Sequence, residues 1–246
     1  LSEPAQAAPI LEAAGITKRF NALVVLDRVD FAMRADEAVG VVGPNGAGKT
    51  TLLGVLSGAH PPSEGVVRFR GRDVSRLPPS ERCRLGIVRT HQIPRPFGAM
   101  TVFENIHVAA CISTGGAAEA YDRCLDSLRL CGMLGVANRP AETLGLLDRK
   151  RLELARALAA NPRVLLLDEI GGGLTDGEAS ELVATIRELR RRDIAVVWIE
   201  HIVHVLLQVA ERLICMDAGR IIADGLPAAV MADRQVIDAY LGGGVA

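Results

Sequence analysis

Residues 43–51 read GPNGAGKTT. They follow the apolar run Ala38-Val39-Gly40-Val41-Val42 and lead into Leu52-Leu53-Gly54-Val55-Leu56, so a buried strand passes through a glycine-rich loop into a helix. Glycines let a backbone wrap a polyphosphate with its N–H groups turned inward, and the positive end of the following helix dipole stands behind them. The segment predicts a nucleoside-triphosphate site in which Gly43, Asn45, Gly46, Ala47, Gly48, Lys49, Thr50 and Thr51 surround the phosphates. In this pattern Lys49 reaches the β- and γ-phosphates and Thr50 holds Mg²⁺.

A chain of 246 residues with 49% hydrophobic content has room for one large α/β domain, or one domain carrying a subdomain. Its 28 basic and 29 acidic residues leave a net charge of −1, so composition gives no electrostatic case for a nucleic-acid partner. The cysteines, at 83, 111, 124, 131 and 215, lack C-x-x-C pairing and metal-ligand spacing, and their odd number suits a reducing, cytosolic setting. Cys124 and Cys131 read as small apolar residues on one helix face. No apolar run approaches the roughly 20 residues that span a bilayer. Residues 1–9 lack the basic and apolar regions of a signal peptide and are expected to be a disordered tail. The mean hydropathy of +0.25 is high enough to suggest surface that a partner covers.

Short β-rich stretches at 23–26, 29–33, 38–42 and 66–69 surround the glycine loop. From about residue 94 to 160 the spacing turns helical, at 102–111, 121–131 and 152–160, with Gly115-Gly116 as a break. This predicts a helical subdomain at approximately 94–160, inserted in a nucleotide-binding domain at 10–246. The run at 164–167 reads as a strand buried on both faces and ends in Asp168-Glu169. A helix is expected over about 177–192. The next buried strand, at 194–199, ends in Glu200-His201, with a further helix expected through about residue 210. Asp217-Ala218-Gly219 reads as a hairpin turn.

Phosphoryl transfer in such sites is mainly positioning and charge stabilisation, so the chain must supply a metal-anchoring carboxylate and a group that orients the attacking water. Asp168 and Glu169 fit those tasks, at the carboxyl edge of a buried sheet where ligands of open α/β folds bind. Asp168 is expected to hold Mg²⁺ through water and Glu169 to polarise the nucleophile. His201, after the next strand, is positioned to bond the γ-phosphate or that water. Gln92, after a short strand at 86–88, can touch both metal and water.

The ordered set GPNGAGKTT, RTHQ ending in Gln92, LELARAL at 152–158, LLLDE at 165–169, GGLT at 172–175 and IEH at 199–201 resembles the ATP-binding subunit of ABC transporters over residues 11–242. The resemblance implies an α/β P-loop ABC-type ATPase core, a mixed sheet with flanking helices, an inserted helical subdomain and an N-terminal antiparallel β portion. It also implies that Phe20, in TKRF, stacks on adenine, that Gln92 is the Q-loop glutamine and a metal contact, that Glu169 is the catalytic base and that His201 is the switch histidine. MTVFENI at 100–106 and VIDAYLGG at 236–243 narrow the resemblance to branched-chain amino-acid importers. Such importers also serve urea, amides and aromatic acids. The implied setting is peripheral, at the cytoplasmic face of the membrane, with ATP and Mg²⁺, integral membrane permease subunits, a second ATPase subunit and a solute-binding protein outside.

The chain departs from that pattern at the signature, where a sequence near LSGGQ should precede LARAL. Leu144, Gly145, Leu146, Leu147 and Asp148 stand there instead. In an ATP-bound pair, this segment of one subunit covers the γ-phosphate of the other. Gly145 removes a hydroxyl, Leu147 adds bulk where backbone should approach, and Asp148 adds negative charge. Thr175 takes the expected place of the D-loop aspartate, and Ile170 replaces a proline. An intact phosphate loop beside a degraded signature points to asymmetric ATP sites in a heterodimer, whereas a homodimer would pair two degraded signatures. Ile93-Pro94-Arg95-Pro96-Phe97-Gly98 combines rigid prolines with an aromatic suited to gripping a helix of a membrane subunit. Two rival readings remain. A regulatory module would bind ATP with little hydrolysis, as the signature suggests, and Glu169 argues against it. A soluble, non-transport ABC ATPase usually carries tandem domains or coiled coils, which one phosphate loop without heptads does not match.

Overall fold

The alternating apolar residues at the start of the chain form two long strands, β1 (Leu11–Phe20) and β2 (Leu23–Met33). The stretches at 23–26 and 29–33 are thus one strand. It is interrupted at Arg28, whose backbone sits at φ 49° with its N–H donating to Thr17 Oγ1 at 3.3 Å, while the register against β1 shifts. An unpaired residue of this kind bends a strand without ending it. The computed structural model describes residues 8–242, so the expected tail at 1–9 lies, as far as residue 7, outside the described residues, as do 243–246.

After β2 come β3 (Ala38–Val42), α1 (Lys49–Ser57), β4 (Glu64–Phe69), β5 (Arg72–Asp73), α2 (Pro79–Leu85) and β6 (Ile87–Arg89). Helices α3 (Val102–Ser113), α4 (Ala117–Leu130) and α5 (Leu146–Ala159) follow, then β7 (Val164–Asp168), α6 (Asp176–Arg190), β8 (Ala195–Ile199) and α7 (Val203–Leu206). The chain continues through β9 (Arg212–Asp217), β10 (Arg220–Gly225), α8 (Pro227–Met231) and α9 (Arg234–Gly242). Among the described residues, one sheet is antiparallel in the order β2-β1-β4-β5. The other, in the order β10-β9-β3-β8-β7-β6, is parallel except for β10.

The second sheet divides two apolar cores because successive side chains of a strand point to opposite faces. Val39, Val41, Leu166, Val197 and Ile199 face α1 and the antiparallel sheet, whereas Val42, Leu165, Leu167, Val196 and Trp198 face the helices. Both faces are covered, which is why these strands read as unbroken apolar runs. Thr101 with Glu104 starts α3, and Thr175 with Glu178 starts α6. In each pair the threonine hydroxyl takes an N3 amide and the glutamate takes the cap amide. Thr175 is therefore a helix cap, a task legible in its T-x-x-E spacing.

Arg82 is fully buried in α2 and, among the described residues, forms no ion pair. Its guanidinium donates to the carbonyls of Val55 and Leu56 at 2.6 and 2.7 Å, and to those of Ser75 and Leu77 at 3.1 and 3.2 Å. It so satisfies the orphan C-terminal carbonyls of α1, the helix that follows the glycine loop. Burial pushes its pKa down to about 10.

Two expectations change. The helix after His201 is short: α7 ends at Leu206, and Gln208 and Val209 donate to Val205 and Leu206 in tighter i−3 turns that keep Leu206 and Val209 buried. The helix expected over 152–160 starts earlier, so that Leu146, Leu147 and Asp148 of the signature form the first turn of α5. Cys124 and Cys131 are buried, and burial pushes their thiols up to about 11 and about 12. Among the described residues no helix is long and apolar enough to cross a membrane.

Candidate active site

β3 delivers Gly43 to the carboxyl edge of the parallel sheet, beside the ends of β8 and β9. A Cβ on Gly43, at φ 142°, would lie 2.1 Å from the Met216 carbonyl oxygen, and one on Gly48, at φ 100°, would lie 2.9 Å from that of Val25. Both neighbours are backbone, so no other residue fits without moving a strand. The loop between them bounds a cavity of about 210 Å³ lined by Val25, Asn45, Gly46, Ala47, Gly48, Lys49, Thr50, Thr51 and Glu169. Of the phosphate-loop residues expected to meet a nucleotide, those from Asn45 to Thr51 line it and Gly43 does not. Lys49 is buried, and its ammonium donates to the carbonyls of Gly43 at 2.7 Å and Pro44 at 2.9 Å. Burial holds its pKa below the ordinary lysine value, while the carboxylates of Glu169 and Asp168 and the Cys215 thiol oppose that shift.

Asp168 closes β7, 3% exposed, with Oδ1 3.5 Å from Thr50 Oγ1. Its other oxygen accepts from Arg89 Nη2 at 2.6 Å, and its N–H donates to Thr90 Oγ1 at 3.4 Å. Arg89 opens the RTHQ segment, where the sequence assigns it no role. The available signal was a charged residue closing the apolar strand β6, which pairs with β7 in parallel register.

Glu169 turns sharply out of the strand. Its backbone sits at φ 47°, and its N–H donates to the Ile199 carbonyl at 2.9 Å. A left-handed conformation outside glycine costs about 1–3 kcal/mol and persists where surrounding contacts enforce it. Gln92 Nε2 donates to Glu169 Oε2, and His201 Nε2 lies 2.8 Å from Oε1. The three polar residues marked from separate segments therefore meet on one carboxylate. A carboxylate so bracketed, at the rim of a phosphate cavity, can orient a water and take its proton.

Glu200, which the sequence places beside His201 without a role, underlies this group. It is 2% exposed and accepts from the N–H of Gly171, from Trp198 Nε1 at 3.3 Å and from the N–H of His201 at 3.3 Å. Burial pushes its carboxyl above the ordinary range, against those hydrogen bonds and the Lys150 charge. A Cβ on Gly171 would lie 2.7 Å from its Oε1.

Phe20 is 40% exposed at the end of β1, edge-on to His60 with ring centroids 5.3 Å apart. It lies outside the set of residues lining the phosphate cavity, as do all five signature residues. Leu144 is buried, Gly145 is exposed at the N-cap of α5, and Leu147 and Asp148 are half-buried. Asp148 Oδ1 lies 3.5 Å from Arg151 Nη1, and Arg151 also pairs with Glu181, so its charge is partly offset within this chain.

A strand-to-helix glycine loop backed by a buried amine, with acidic residues at the end of a parallel strand of the same sheet, belongs to the P-loop class of nucleotide-binding cassettes. A family model described as "ABC transporter" matches residues 26–171, and one described as "Branched-chain amino acid ATP-binding cassette transporter" matches 220–246. The chain belongs to the ABC transporter family and is an ATP-hydrolysing subunit of it. It is 36% identical over 250 residues to the "High-affinity branched-chain amino acid transport ATP-binding protein LivG" of Salmonella typhimurium, covering 95% of this chain and 98% of that protein. It is 34% identical over 237 residues to the "Lipopolysaccharide export system ATP-binding protein LptB" of Haemophilus influenzae, covering 95% and 97%. The fold is similar to that of a crystallised ATP-binding cassette of an ABC transporter in its ADP conformation, with a TM-score of 0.86, 29% identity and coverage of 96% of this chain and 100% of that one.

Proposed function

We propose that this ATPase energises import of branched-chain amino acids, or of related small polar or aromatic solutes, through separate integral membrane permease subunits. One observation carries the hydrolytic half: Glu169 has Gln92 at one carboxylate oxygen and His201 at the other, beside the phosphate cavity. The solute class is supported by likeness to a LivG protein along 95% of the chain. Glu169 acts as general base towards the attacking water, His201 and Gln92 hold it in register, Lys49 and the loop amides bind the phosphates, and Phe20 packs on adenine.

Thr50, Asp168 and Gln92 suit Mg²⁺. Their donors are hard oxygens, and Thr50 Oγ1 and Asp168 Oδ1 stand 3.5 Å apart. These few protein donors would leave the remaining positions to nucleotide oxygens and water, which is how Mg²⁺ is ordinarily held. When bound, the ion neutralises phosphate charge during transfer. We read residues 10–246 as one cassette, with the helical subdomain at approximately 94–160. The cassette works at the cytoplasmic face of the membrane, with a second, non-identical ATPase chain and an external solute-binding protein. The poor match at Leu144–Asp148 favours unequal ATP sites in that pair. It also sustains a second reading, a regulatory ATP-binding module of low turnover.

The test is to tag the chain in its native cell, solubilise membranes gently and identify what co-purifies. Two permease subunits and a different ATPase are expected, together with loss of labelled amino-acid uptake when the chain is deleted. Permeases of an exporter would overturn import, and recovery without any membrane protein would overturn transport.

A further inference from the structure

The described segment from Met216 to the end of α9 touches the phosphate loop at three separate points. The Met216 carbonyl packs where a Gly43 side chain would stand, and the N–H of Gly219 donates to the Ala47 carbonyl at 3.1 Å. The third contact comes from much farther along the chain: the N–H of Gly43 donates to the hydroxyl of Tyr240, on α9, at 2.8 Å. The carbonyl of the same glycine accepts from Lys49 at 2.7 Å. Gly43 is thus held at its N–H by a C-terminal phenol and at its carbonyl by the ammonium expected to meet the phosphates. Gly43 is buried, so its N–H has poor access to a replacement acceptor. The phenol is half-exposed, and its ring is therefore not a core residue whose role is packing alone.

We propose that Tyr240 is a positioning residue for the phosphate loop, its hydroxyl anchoring the Gly43 N–H so that nucleotide affinity depends on α9 being docked. Tyr240 touches no phosphate itself. It acts through Gly43, whose N–H it accepts and whose carbonyl, in the next peptide unit, accepts from Lys49. A loop whose first peptide is fixed presents its N–H groups already oriented, and a loosened one must lose that freedom when the nucleotide binds. The effect therefore falls on binding more than on the chemical step. The inference rests on the ATP-binding reading of the cavity, and its test separates the two.

Tyr240→Phe in the full chain removes only the hydroxyl. The measurements are titration with a fluorescent ATP analogue in Mg²⁺, KM and kcat for ATP, and hydrogen exchange at the ¹⁵N-labelled Gly43 amide without nucleotide. Ile237→Ala, an exposed change on the same helix, is the control for general loosening of α9. The expected result is a roughly three- to tenfold rise in Kd and KM, the size of one lost hydrogen bond, with little change in kcat. Gly43 exchange should quicken in Tyr240→Phe and not in Ile237→Ala. Unchanged Gly43 exchange, or faster exchange with unchanged affinity, would overturn the proposal, as would a uniform rise in exchange across the chain. A parent chain that binds no nucleotide would overturn the ATP reading and the affinity effect with it, while Gly43 exchange alone would still decide the hydrogen bond.

Discussion

Nε2 of His201 stands 2.8 Å from Oε1 of Glu169, joining the ends of two neighbouring parallel strands, β7 and β8. The register that pairs Asp168 with Ile199 sets the distance, because each functional residue lies just beyond its strand. Glu169→Gln should keep nucleotide affinity while hydrolysis falls by roughly 10²–10⁴-fold, the usual contribution of a general base. Phosphate release under saturating MgATP, beside a binding titration, makes the comparison. Equal loss of both would assign Glu169 to binding.

Gly145 and Leu147 bracket the start of α5 without a hydroxyl to offer a partner's nucleotide. The double change Gly145→Ser with Leu147→Gly should raise turnover in the partner chain's site, by about tenfold if one hydrogen bond to a charged group is regained. The reading is single-turnover hydrolysis in the assembled complex with this chain's own site silenced. An unchanged rate would sink the asymmetric-site idea.

Phe97 is 46% exposed beside a cavity of about 340 Å³, with the Arg156 guanidinium 5.1 Å from its ring centroid. The buried Asn105 holds the loop by accepting from the Phe97 N–H at 2.8 Å and donating to its carbonyl at 3.0 Å, so the backbone does not depend on the ring. Phe97→Asp should therefore cut solute uptake by about tenfold or more in reconstituted vesicles while basal ATP hydrolysis stays near the parent rate. Parallel loss of both would make the ring structural.

Thr175→Ala removes a cap whose partner, Glu178, donates its N–H to the threonine hydroxyl and takes the Thr175 N–H at 2.8 Å. The expected loss is about 1 kcal/mol, or about 2–4 °C in Tm for a chain of this length. Calorimetry checks it, and an unaltered Tm would show that α6 is held by its packing alone.

Burial raises the Glu200 carboxyl above its ordinary value of 4.5. The folded state then binds more protons than the unfolded state above that pH, so this group's contribution to stability falls as pH rises through the window and is constant beyond it. Glu200→Gln should flatten the pH dependence of Tm relative to the parent, starting near pH 4.5 and extending upward. Identical slopes in parent and variant would refute the assignment.

The phosphate loop, the strand pattern and the acidic pair were legible in the sequence because each is local. Glycine spacing reports backbone conformation, and unbroken apolar runs report strands covered on both faces. Gln92, Glu169 and His201 could be marked one by one, yet their meeting on a single carboxylate depends on β6, β7 and β8 lying side by side. Arg89, Glu200 and Tyr240 sit within RTHQ, IEH and VIDAYLGG, yet nothing local to them or to Arg82 names the group each one holds. A buried charge is recognisable only from the partner that satisfies it, and the half-exposed Tyr240 finds its partner 197 residues away. The sequence by itself determined which segments become strand, loop and helix, through periodicity and backbone preference. Only the tertiary structure decided which polar groups share a proton or a charge, because desolvation makes those pairings obligatory and chain packing chooses the partners.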